Sequence, residues 1–199
     1  MGLAAENETS PEGAGRDLMS REEAERAVAI TASRLALLHL CYAQTLVEEL
    51  GEARGKELAA KAIRRYGIEI GEAVRKAVSE AGLPLDPENY GRGKGQDLPA
   101  FGMHNKIEAF EEAGEPRLRA HGCVLAKVWR ERGQDDLGRI YCYVDPAKYM
   151  AYNPNHKMVH LKCVPDGDAC CEFTIKATTP AERELFKAGG PGWTSIDQP

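Results

Sequence analysis

KMVHLKCVPDGDACCEFTIKA, residues 157–177, is the stretch whose reading decides the fold. Two runs rich in β-branched and aromatic residues flank Pro165-Asp166-Gly167-Asp168, a turn sequence, so a β-hairpin is predicted with strands over 157–164 and 169–177. Alternation places Val159, Leu161 and Cys163 on one face of the first strand and Cys171, Phe173 and Ile175 on one face of the second. Turning both faces to the core sets Cys163 opposite Cys171.

Working outward, the preceding segment changes period. Asp145-Pro146-Ala147 is a helix-start signature, with Asp145 as N-cap and Pro146 at the first helical position, and the helix should end near Asn153-Pro154. Gly138 to Val144 carries Ile140, Cys142 and Val144 at period two, a pattern that fits a strand and a helical turn alike. Leu118 to Cys123 alternates like a strand; Cys123 then opens a helix over Val124–Arg132, closed by Gly133. Ala100 to Ala113 reads as a short helix bearing His104, ended by Gly114 and Pro116.

The N-terminal half is helical. Ser20-Arg21-Glu22-Glu23 is a capping box, and a helix follows to about Leu50, with Ala27, Ala32, Leu35, Leu38, Tyr42, Thr45 and Leu46 near one stripe. Gly51 ends it, and a second helix runs from about Glu52 to Ala81, stopped by Gly82 and Pro84. Residues 83–99 are a loop. Its Gly91-Arg92-Gly93-Lys94-Gly95 lacks the spacing of a phosphate loop and reads as a connection between halves. The organisation expected is a flexible tail (1–18), a helical half (19–98), a thiol-rich half (99–178) in the same globular domain, and a C-terminal tail (179–199) with one capped turn of helix that frays. The fold class is α+β: two long N-terminal helices packed on a small antiparallel sheet with short crossing helices.

Composition narrows the partners. A chain of 199 residues is long enough for one well-filled core, or at most two small ones. With Lys+Arg 26 against Asp+Glu 31 and a net charge of -5, there is no basic excess to neutralise a phosphate backbone, so no nucleic-acid partner is expected. The most apolar window, Ala27 to Val47, is interrupted by Arg34, His39 and Gln44, so no membrane span is expected. The N-terminus lacks a basic, then apolar, leader, so the expected location is cytoplasmic. A small-molecule substrate is the expected partner, and a homo-oligomer is compatible with the sequence.

Six cysteines, Cys41, Cys123, Cys142, Cys163, Cys170 and Cys171, should be mostly thiols in that compartment, and five fall in the C-terminal half. A free cysteine is by default a small buried hydrophobe. No nucleophile elbow, Walker loop, dinucleotide fingerprint or His-Glu-x-x-His is present, and Cys170-Cys171 is adjacent, not Cys-x-x-Cys. Cys123, at a strand end and helix start, should see backbone N–H groups that favour thiolate, with His121 two residues earlier. Cys142 precedes Asp145 by three residues. A thiol nucleophile and a proton-managing carboxylate are the minimum kit for attacking an amidine-like carbon. The plainer reading leaves Asp145 an N-cap and Cys142 core filler.

CVLAKVW (123–129), LGRIYCYVD (137–145), YNP (152–154) and DGDACCEF (166–173) together resemble the L-2-amino-thiazoline-4-carboxylic acid hydrolase family. The likeness rests on the order and spacing of Cys, Cys-x-x-Asp, Asn-Pro and Gly-Asp-x-x-Cys-x-Phe over roughly residues 100–176. It implies hydrolysis of a small cyclic substrate such as a 2-amino-thiazoline carboxylate, in which the ring sulfur leaves the amidine-like carbon and becomes the thiol of a carbamoyl-cysteine. At the matching positions, Cys142 and Cys123 are the candidate nucleophiles and Asp145 the base or proton shuttle; His104, Asn105, Asn153 and His121 are candidate substrate contacts. No cofactor is implied. Two other readings stand beside it: a non-catalytic small-ligand or tetrapyrrole-binding module resembling the 4-vinyl-reductase domain, and a metal site on Cys123, Cys142 and Cys171 or Cys163.

Overall fold

The computed structural model describes residues 19–93 and 98–198. The expected N-terminal tail, and Lys94 and Gly95 of the glycine-rich stretch, lie outside them. Among the described residues the fold is α+β: six α-helices and one four-stranded antiparallel sheet in the order β1-β2-β4-β3.

Helix α1 (Arg21–Leu50) begins on the Ser20/Glu23 capping box, and α2 (Glu52–Glu80) follows after Gly51 alone. That one-residue turn works because Gly51 holds φ 79 and because Gly55 lets the α2 backbone press on Val47, where a Cβ would lie 2.5 Å from the Val47 Cα. The buried stripe of α1 is Ala32, Ala36, His39, Leu40 and Ala43, while Leu38 and Tyr42, expected inside, are exposed. Small residues win the inner face because they let α1 approach Ala59, Ala60 and Ile63 of α2 closely.

The segment expected as a helix bearing His104 is a strand, β1 (Lys106–Glu112), with His104 in the turn before it. Its Glu- and Ala-rich composition favours helix, but pairing with β2 (Glu115–His121) overrides that local preference. The two-residue connection Ala113-Gly114 has φ of 54 and 78, the left-handed pair a tight hairpin demands.

Three short helices follow: α3 (Val124–Arg130), α4 (Asp135–Cys142) and α5 (Val144–Tyr152). The ambiguous stretch 138–144 is thus helical. Asp145 is not the N-cap: the chain keeps helical dihedrals through Tyr143, so α5 starts at Val144 and Asp145 sits in its first turn. Pro146 is tolerated there because first-turn N–H groups have no intrahelical partner. Helix α5 docks on α2 along a glycine seam. A Cβ on Gly67 would meet the Ala147 Cβ at 2.5 Å, and one on Gly71 would collide with the Lys148 carbonyl oxygen. No side chain holds the two backbones apart.

The last hairpin is β3 (His156–Lys162) and β4 (Cys171–Ala177), joined through a 3-10 turn at Val164–Asp166 and Gly167 in the left-handed region. A register shift between His160 and Lys162 corrects the expected alternation: His160, not Leu161, stands opposite Phe173. Cys163 and Cys171 are both buried, and the Val164 backbone N–H donates to Cys171 Sγ at 3.4 Å. The tail expected to fray instead packs. Helix α6 (Pro180–Ala188) has its own Thr179/Glu182 capping box, and Trp193, Ile196 and Asp197 are buried. The Lys157 ammonium gathers Glu182 at 2.8 Å and the Ile196 carbonyl at 2.9 Å, which anchors the segment to β3. No helix among the described residues is long and apolar enough to cross a membrane.

Candidate functional site

The inner face of the sheet, α2, α3 and the α4–α5 junction enclose a cavity of about 250 Å³. Much of its wall is apolar, from Tyr66, Ile70, Leu118, Trp129 and Phe173 among others. The polar groups on it are few: Cys123, Cys142, Asp145, Lys148, His104, His160 and Cys171. An apolar hollow with a handful of convergent polar groups is the usual form of a small-molecule site.

The groups arrive from several elements. Cys142 closes α4, Asp145 and Lys148 lie on successive turns of α5, and Cys123 caps α3. The glycine seam brings the α5 backbone against α2, which sets the depth at which Asp145 and Lys148 enter the cavity. Asp145 Oδ1 is 2.9 Å from the Lys148 ammonium, and its Oδ2 is 3.5 Å from His160 Nε2. His160 is held from behind: its backbone N–H donates to Asp197 Oδ1 at 2.8 Å, and its Nδ1 lies 3.0 Å from Asp197 Oδ2. Arg139 completes the set, donating to Asp197 at 2.7 Å. Burial raises the Asp197 carboxyl, but His160 and Arg139 outweigh it, so it is held below its ordinary value.

The thiols lie together. The neighbouring thiols and burial raise the pKa of Cys171 and Cys163, Cys163 acting most on Cys171 and Cys142 most on Cys163. The neighbouring Cys163 thiol and the Arg139 guanidinium favour the Cys142 thiolate, against burial and the Cys171 and Cys123 thiols, which leave it above its ordinary value. Cys123 behaves otherwise than the sequence suggests: burial pushes its thiol up to about 11, outweighing the N–H groups of Ala126 and Leu125. At a buried cap of a seven-residue helix, desolvation beats the helix dipole.

Of the seven residues singled out in the sequence, Cys123, Cys142, Asp145 and His104 line this cavity. His104 is half-buried, its Nδ1 has no hydrogen-bond partner, and burial lowers its pKa. The other three do not line it. His121 Nε2 pairs with Glu108 at 3.2 Å. Asn105 lies beneath Gly122, beside a separate surface groove. Asn153 donates to the Leu85 carbonyl at 2.7 Å and accepts from Asn155 N at 3.0 Å, a structural cap for the α5 exit. Sequence reading missed His160, Lys148 and Asp197. His160 was hidden by the irregularity in β3, Lys148 resembled a solvated helix residue, and Asp197 lay in a segment read as fraying.

Among the described residues, the ligand atoms that converge for a metal belong to Cys142, His160 and Cys163, a set without Cys123 and Cys171.

Neither a curated protein nor a solved structure matches the chain. A family model described as L-2-amino-thiazoline-4-carboxylic acid hydrolase matches residues 31–175. That span runs from α1 to β4, beyond the 100–176 likeness seen in the motifs, and takes in every thiol and carboxylate of the cavity wall. The chain belongs to the L-2-amino-thiazoline-4-carboxylic acid hydrolase family.

Proposed function

We propose that the chain hydrolyses a small 2-amino-thiazoline-type carboxylate, opening the ring at its amidine-like carbon. The observation that carries this reading is the convergence of Cys142, Asp145, Lys148 and His160 on one mostly apolar cavity. Its volume of about 250 Å³ falls below the roughly 300–1,000 Å³ of drug-sized sites. That favours a ring of this size over a tetrapyrrole.

The groups divide the work. Asp145 pairs with the substrate's amidinium, and the neighbouring Lys148 ammonium takes its carboxylate. Cys142 adds through sulfur to the amidine-like carbon, its proton passing to His160, whose ring Asp197 orients. The ring C–S bond breaks, the departing sulfur takes a proton relayed through Asp145, and an isothiourea-type adduct on Cys142 remains. Water then adds to the same carbon, the Cys142–carbon bond breaks, and a carbamoyl-cysteine leaves with the thiol regenerated. Cys123, with its raised pKa, serves as cavity wall and neutral S–H donor.

The test is turnover of 2-amino-thiazoline-4-carboxylate by wild type and Cys142→Ser, followed by appearance of a free thiol. Ser is nearly isosteric, so the variant should stay folded yet lose about a thousand-fold or more in kcat. A wild type that binds the compound without turning it over, or a Cys142→Ser protein that keeps its rate, defeats this assignment.

A further inference from the structure

The Cys142 and Cys163 sulfurs and a ring nitrogen of His160 all lie within 4.8 Å of one another. We propose that this triad binds one thiophilic d10 cation, Zn2+ being the biologically abundant case, as a Cys2His site whose fourth position opens to the cavity. Two thiolates and an imidazole are the donors such ions select over hard cations. Metal–ligand lengths of about 2.0–2.3 Å put tetrahedral donors roughly 3.5 Å apart, so the triad closes on an ion with side-chain adjustments of about 1 Å.

Three further observations point the same way. First, His160 already has the outer support that metal-bound imidazoles use. The Asp197 carboxylate, 3.0 Å from Nδ1 and itself fixed by Arg139 at 2.7 Å, keeps the proton on Nδ1 and leaves the Nε2 lone pair to bind. Second, the charges close. Two thiolates balance a divalent ion and Arg139 balances Asp197, so no net charge is buried. Third, Cys142 and His160 line the cavity whereas Cys163 lies behind it. The ligands therefore occupy one wall and the vacant coordination position faces the hollow, as in open zinc sites. Binding converts two S–H groups to S–metal bonds and releases two protons.

The consequence for activity rests on the function proposed above. A sulfur bound to the ion gives up charge to it and is a much weaker nucleophile toward the substrate carbon, so the loaded protein is the less active form and Cys142-based turnover belongs to the metal-free form.

The experiment uses the full chain, reduced and stripped with a chelator. Cd2+ is titrated against the ultraviolet thiolate-to-cadmium charge-transfer band, and Zn2+ is measured by competition with a chromogenic chelator. One ion per chain is expected, with two protons released. Cys142→Ser, Cys163→Ser and His160→Asn should each weaken binding by about 100-fold or more, and Asp197→Asn by about 10- to 100-fold. Cys41→Ser and Cys170→Ser should bind as wild type. Cys163 is fully buried, so if Cys163→Ser fails to fold, the cavity-facing Cys142→Ser carries the decision. Absence of the band, or affinity unchanged in Cys142→Ser, overturns the site. Stoichiometric Cd2+ on a protein that never turns over the thiazoline sustains the site and removes the hydrolase reading; turnover that proceeds unimpeded at saturating Zn2+ removes the exclusion.

Discussion

The two hairpins of the sheet are built to opposite standards. The β1–β2 hairpin pairs residue against residue from Lys106↔His121 to Glu112↔Glu115 without a break. Its side chains meet in charge pairs and a ring contact: Glu108 with Lys106 and His121, Arg117 with Glu112, and Arg119 over the Phe110 ring at 4.3 Å. The β3–β4 hairpin slips register between His160 and Lys162 and turns through a 3-10 segment. It carries His160, Cys163 and Cys171, all buried, the two cysteines as free thiols. Regular pairing ties its charged groups to one another and to Glu172 of β4. Irregular pairing re-aims side chains, and here it turns an imidazole toward the cavity.

Four measurements break or sharpen that contrast. The largest effect should come from exchanging the two histidines in turn. His160→Asn should lower thiazoline turnover by roughly 10²- to 10⁴-fold, the usual worth of a positioned proton carrier. His121→Asn, on the regular hairpin, should stay within about twofold of wild type. Equal losses in both would erase the distinction.

Next comes the group that joins the hairpins. Glu172 on β4 is 1 % exposed and takes Arg117 at 3.0 Å and Arg119 at 3.1 Å from β2, and Lys162 at 3.2 Å from β3. Glu172→Gln should cost about 1–3 kcal/mol in urea unfolding, because it leaves three cations sharing a neutral amide. Turnover per folded molecule should not change.

The same residue sets an acid limit. Burial raises the Glu172 carboxyl, but Lys162, Arg119 and Arg117 outweigh it, so its folded pKa lies below the ordinary value. A depressed carboxylate contributes its full stability above the unfolded value of about 4.3 and loses it as pH falls through the folded value. The stability gap between wild type and Glu172→Gln should therefore be constant near neutrality and narrow below about pH 4.3. A gap that widens on acidification contradicts the ion-pair account.

The smallest effect belongs to the tip of the regular hairpin. Ala113 holds φ 54, a left-handed conformation that penalises a Cβ. Ala113→Gly should raise stability by a few tenths to about 1 kcal/mol, read as a higher thermal midpoint.

How much of this was legible in the chain follows from the range of the forces involved. The long helices and the Ser20 cap announce themselves because caps and periodicity are local. The thiol-bearing hairpin is legible for the same reason, and Cys142 with Asp145 because three residues of spacing survive any helical turn. His160 escaped because a one-residue slip in β3 reverses the alternation from which faces are read. The β1 strand escaped because its Glu and Ala content says helix, and only the partner strand says otherwise. Cys123 misled because the helix-end field is local while desolvation depends on everything packed around it. Asp197 acquires its meaning only from Arg139 and His160, distant in sequence.

The glycine seam between α2 and α5 has a bearing on the order in which the molecule assembles. Each glycine inside a helix costs roughly 1 kcal/mol relative to alanine when the helix stands alone. Gly67 and Gly71 therefore make the middle of α2 its weakest part in isolation. That stretch is repaid only when α5, some 80 positions later along the chain, settles against it. Amide protons of Ile68 to Ile70 should consequently gain protection from exchange together with those of α5 rather than with the rest of α2. The wall that carries Asp145 and Lys148 and the helix it leans on should therefore open and close as one unit.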